Sequence, residues 1–157
     1  MITDLQPNDD PGHCVTEAVR RTLELALTWL AWDGKPRVSE DGDRVYTPHK
    51  AIRRMADHLV DHTAEIEALL SDVESLPDHW RGSLVTLESD WCSFTEADLN
   101  EAQERLNRLG NILVLRLAAA GSAAWERQRD EHMTLREIAE HVGTAWYAEQ
   151  VGDLTPR

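Results

Sequence analysis

Several residue types and patterns are scarce in this chain of 157 residues, and each scarcity removes a class of protein. Lysine occurs only at Lys35 and Lys50, and Asp plus Glu outnumber Lys plus Arg by 29 to 16, for a net charge of -13. A surface of that sign repels phosphate backbones and anionic lipid, so neither a nucleic acid nor a membrane is an expected partner. The two cysteines, Cys14 and Cys92, stand far apart and form no CxxC pair. Free thiols in a reducing compartment are therefore expected, without a disulfide framework or a thiolate zinc ribbon. The most apolar stretch, Ile112 to Ala120, is short and interrupted by Arg116, which excludes a spanning helix there. The acidic start, Met1 to Asp10, has no basic region followed by an apolar run, so no signal peptide is read and a cytoplasmic location is expected. P-loop, dinucleotide-binding glycine, zinc-finger and GxSxG patterns are missing. No segment shows convincing strand alternation.

What remains is helical periodicity, in an amount that suits one domain over residues 1–157 of the all-α class. Val15, Val19, Leu23, Ala26 and Leu30 recur at spacings of three and four and predict a helix from about Val15 to Trp32, stopped by Asp33-Gly34. Thr47-Pro48 is a cap followed by proline at the first helical position. It opens a helix to about Ser75, with a stripe of Ile52, Met55, Ala56, Leu59, Ile66, Leu69, Leu70 and Val73. Thr95 and Asp98 cap a third helix to about Ala120, in which Gly110 costs helix propensity. Thr134 and Glu137 form a capping box for a fourth helix to about Gln150, with Leu135, Ile138, Ala139, Val142, Ala145 and Trp146 facing inward. A four-helix bundle with long connections follows. The halves share a layout of helix, linker, threonine cap and helix, which suggests a faint duplication.

Among seven histidines, His58 and His62 lie four apart and so share a helix face near the apolar stripe. His141 takes a similar edge of the fourth helix, beside Ile138 and Ala145. About 0.3 such pairs arise by chance in this composition, so the pair alone is weak, and a solvated or singly hydrogen-bonded pair is the alternative. Three imidazoles in one core, however, are hard to satisfy without a shared ligand. Three neutral imidazoles would leave a cation with an open position for water, thiol or substrate; zinc suits this best, and nickel or iron also accept imidazole.

These motifs carry a resemblance. TPHKAIRRMADHLVDH places histidines eleven and fifteen residues after Thr47, and TLREIAEH places one seven residues after Thr134. In both respects the chain resembles the DinB/YfiT-like superfamily of metal-binding four-helix bundles over most of Val15 to Val151. In that family the lone-histidine helix commonly precedes the paired one, whereas here it follows. The resemblance implies that His58, His62 and His141 are metal ligands. It also implies a role such as metal-dependent hydrolysis, or S-transfer or isomerisation using a low-molecular-weight thiol such as mycothiol.

Asp61, Glu65 and Glu137 are each placed to orient a ligand ring, and Glu137 is the residue read as general base. His13, His49, His79 and His132 read as surface residues, with His132 a candidate for the mouth of a site. Trp29, Trp32, Trp146 and Tyr147 read as core or pocket wall. The sole HxxxE, His13 to Glu17, makes a di-iron carboxylate site a poor fit. Three functions remain in view: a metal-dependent thiol transferase or hydrolase acting on a small molecule, a non-catalytic stress or interaction bundle forming a homodimer, and a metal sensor without turnover.

Overall fold

The computed structural model describes residues 9–77 and 80–157, so His79 lies outside the described residues. The chain is mostly helical with one minor antiparallel ribbon. No helix among the described residues is long and apolar enough to cross a membrane.

Helix α1 spans Gly12–Ala26, six residues shorter at its end than the periodicity predicts. Thr28 ends it: its hydroxyl donates to the Leu25 carbonyl at 2.7 Å, and a 3-10 turn, Trp29–Ala31, follows. That turn rotates Leu30 out to 50% exposure and buries Trp29 completely, its indole donating to the Gly152 carbonyl at 2.8 Å. The linker then forms a ribbon the sequence did not suggest, β1 (Arg37–Val38) paired with β2 (Val45–Tyr46). Two residues a side are too few for alternation to register.

Helix α2 covers Pro48–Leu70, with the Thr47 hydroxyl accepting from the Lys50 amide at 3.2 Å. It stops before the expected Ser75 because Asp72 adopts a positive φ of 53°, and Val73 is left exposed. A 3-10 turn, Glu88–Trp91, buries Asp90 against Arg53 at 2.7 Å. Helix α3, Glu96–Ala120, carries the Thr95–Asp98 capping box and ends at Gly121 with φ 84°. Gly110 is explained by its neighbour: a Cβ there would meet Val19 Cγ2 at 3.0 Å, so glycine lets α1 and α3 approach.

A short helix, α4 (Ser122–Glu126), occupies the next linker. The predicted fourth helix is two: α5, Leu135–Val142, and α6, Trp146–Val151. The Thr134–Glu137 capping box is present. The break falls at Gly143, where a Cβ would meet Cys14 Sγ at 2.6 Å and the Ala139 carbonyl at 2.7 Å. The likeness between halves stops at layout, since α2 has 23 residues and α5 has 8.

Helix α1 packs on α3, α5 and α6, and α2 on the same three. Their shared core includes Val15, Val19, Met55, Leu59, Ile66, Leu106, Leu113, Leu117 and Ile138. Each large aliphatic side chain buried this way contributes roughly 1.5–3 kcal/mol of transfer free energy. A second cluster around Trp29, Tyr46, Phe94 and Leu99 closes one end. Cys14 and Cys92 are free thiols.

Candidate metal centre

On α2 the residues Arg54, His58 and His62 recur every four positions and form one stripe beside buried Met55, Leu59 and Ile66. Helix α5 docks across α1 and α2 with its last turn next to that stripe, and His141 sits in that turn. The three imidazoles meet. Ring centroids are 4.6 Å apart for His58 and His62, 4.9 Å for His58 and His141, and 4.8 Å for His62 and His141. The rings are mutually steep, at 76 to 81°, so ring edges point at a common space instead of stacking. His58 Nε2 and His141 Nε2 are 3.2 Å apart. One nitrogen from each of the three lies within 4.8 Å of the others, close enough for the group to bind a metal ion.

Tetrahedral zinc with Zn–N bonds near 2.0–2.1 Å holds its nitrogens about 3.3 Å apart. The His58–His141 separation matches that figure. For His62, Nδ1–H donates to Glu65 Oε2 at 2.7 Å, which leaves Nε2 as its ligand atom. A carboxylate holding the far nitrogen of an imidazole is the usual support behind a metal-binding histidine. Burial holds the His58 imidazole well below its ordinary value of 6.5, to about 3, with His62, His141 and Arg54 adding to the effect. Its lone pair is therefore open to a cation at neutral pH. The donor set and spacing fit a divalent metal.

The centre opens into a cleft of about 1240 Å³. Tyr147 walls one side, its ring centroid 5.5 Å from that of His58. Asp57, Asp61, Glu65 and Glu140 line the cleft, as do Trp80, Trp146, His132, Arg44 and Arg54. His132 is thus at the mouth, where its position before Thr134 suggested. Glu137 stands elsewhere: it is exposed, its carboxylate accepts the Thr134 amide at 3.1 Å, and it is not among the residues lining the cleft. Capping fixes it at the opposite end of α5 from His141, and the carboxylates that line the cleft are Asp57, Asp61, Glu65, Glu74 and Glu140. His49 is half-buried, its ring against Phe94 at 5.3 Å.

Sequence reasoning missed the arginines and the roof of this cleft. Arg54 was detectable, since it precedes His58 by one turn on the same face. The roof, residues 74–84 apart from the two undescribed positions, has no periodicity to read. Set against protein-family models, curated proteins and solved structures, the chain has no match in any of the three.

Proposed function

We propose that the protein is a metal-dependent enzyme of the DinB/YfiT-like kind, with α1, α2, α3 and the broken pair α5–α6 as the four helices of the bundle. In this reading His58, His62 and His141 hold one divalent cation, zinc by preference, and a small molecule reacts in the adjoining cleft as a thiol transferase or hydrolase substrate. The convergence of three imidazoles from two helices, with Glu65 behind one of them, carries the proposal. When bound, such a cation supplies the Lewis acidity that makes a thiol or water nucleophilic near neutral pH.

The chain's own contributions follow from its geometry. Burial keeps His58 neutral, and Glu65 fixes the tautomer and direction of His62. Tyr147 shields the His58 side from water while the cleft admits a ligand. Asp61 and Glu140 stand on the cleft wall where a proton released from the nucleophile can be accepted. The reversed order of the histidine motifs is accommodated because α2 and α5 are packed neighbours whichever comes first.

The test is metal analysis of protein purified without an affinity tag, followed by thiol-transferase assays with low-molecular-weight thiols. One equivalent of metal, lost in His58→Ala and in His141→Ala together with activity, is expected. Absence of stoichiometric metal, or activity unchanged by His141→Ala, overturns the reading.

A further inference from the structure

Arg44 lines the cleft. In a chain with 29 carboxylates it forms no ion pair among the described residues, and its Nε is buried with no hydrogen-bond partner. Its guanidinium lies 5.9 Å from the Trp146 ring centroid, which holds it in the cleft wall. Next to it, Tyr46 is fully buried. Arg44, Ser83 and Tyr147 surround that phenol, and all three line the cleft. Arg44 thus lines the cleft with no ion pair among the described residues to offset its charge, and a guanidinium so placed favours an anionic ligand.

Arg54 is a second cation of the cleft wall. Its side chain is 8% exposed, with Nε donating to Ser83 Oγ and Nη1 to Asp57 Oδ2, each at 3.0 Å. Its Cζ lies 5.5 Å from the ring centroids of both Trp80 and Tyr147, so the guanidinium is clamped between two aromatic faces. Gly82 completes the cradle, since a Cβ there would fall 2.4 Å from Nη1. This leaves Nη2 without a protein partner among the described residues. Tyr147 touches both Arg54 and His58, so this end of the cleft adjoins the histidine centre.

We propose that Arg44 and Arg54, with the Tyr46 hydroxyl behind them, form a carboxylate-binding subsite, so that the molecule handled at the histidine centre is a small carboxylic acid with an apolar or aromatic body. Its head docks about 6 Å from His58, one helical turn along α2. The assignment of this acid as substrate rests on the metal-centre reading; the subsite itself does not. Asp57 already offsets part of the Arg54 charge, and Asp61 and Glu140 stand nearby, so a monoanion suits the site better than a phosphate dianion. The flat aromatic walls accept an aryl or alkyl body.

The experiment uses the full chain freed of metal and titrated calorimetrically with sodium phenylacetate, phenylacetamide and inorganic phosphate. Phenylacetate is expected to bind at least about tenfold more tightly than the amide, since the charge-assisted pair is lost in the amide. Arg44→Gln is expected to weaken phenylacetate by a similar factor, and Tyr46→Phe by less, with the thermal midpoint of each variant checked for folding. His141→Ala should leave phenylacetate binding intact, which separates failure of the metal reading from failure of this one. Equal binding of acid and amide, no binding of either, indifference to Arg44→Gln in a folded variant, tighter binding of phosphate, or loss in His141→Ala each overturns the proposal.

Discussion

His58 and His141 stand 83 residues apart in the chain and bring their Nε2 atoms to 3.2 Å. Without a shared ion only one proton can lie between these nitrogens, and the burial that depresses His58 leaves it the natural acceptor. A divalent cation, if bound, would replace that single hydrogen bond with two coordinate bonds and recruit His62. Added zinc should therefore raise the thermal midpoint of metal-free protein, by the equivalent of about 2.7 kcal/mol at a hundredfold excess over Kd. A differential scan with and without zinc checks it, and the increment should vanish in His62→Ala.

Two glutamates near the histidines should separate cleanly. Glu65→Gln removes the acceptor of His62 Nδ1–H and is expected to weaken metal affinity about 10–100-fold with little effect on folding. Glu137→Ala removes half of the α5 capping box and should cost about 0.5–2 kcal/mol of stability while leaving affinity unchanged. Competition with a chromogenic chelator measures the first effect and urea unfolding the second. The opposite assignment would restore Glu137 as the functional carboxylate.

The pH response of the metal-free protein follows from His58. Its folded value lies near 3, below 6.5 for the free side chain. Between these values the unfolded chain binds a proton that the folded chain refuses, so the stability contribution present above pH 6.5 is lost progressively as pH falls toward 3. Urea midpoints should decline over this window more steeply in the wild type than in His58→Leu. A His58 ring signal titrating near 6.5 by NMR would contradict the burial seen here.

Gly143→Ala should destabilise the protein by about 1–3 kcal/mol, because the added Cβ collides with Cys14 Sγ and with the Ala139 carbonyl. Adding Cys14→Ala should recover only part of the loss, since the second collision is with backbone. Denaturant unfolding of the two single variants and the pair gives the coupling directly.

Much of the helical frame was readable because its punctuation is chemical: Thr47 with Pro48, Thr95 with Asp98 and Thr134 with Glu137 cap the helices they were expected to cap. The ends were harder. Apolar spacing continues from Val142 through Ala145 and Trp146 and masks the stop signal of Gly143, the C-cap of α5. In the same way Leu30 keeps helical register, yet the burial of Trp29 wins. At the site, the meeting of His58, His62 and His141 was legible from their faces and from the resemblance. The Arg44 and Trp80 parts of the wall were not, because they come from linkers without periodicity, and the Arg54–Ser83 and Arg44–Trp146 contacts are purely tertiary.

Helix α5 is only two turns long, too short to persist by itself in water. It nonetheless carries the one histidine that α2 cannot supply. A cation gripped by His62 and His141 ties off a loop of roughly 80 residues, and the entropy of loop closure makes such a cross-link worth about 4 kcal/mol against the unfolded chain. The ion would thus serve as a removable rivet, fastening α5 and the linker before it to the rest of the fold whenever metal is in supply.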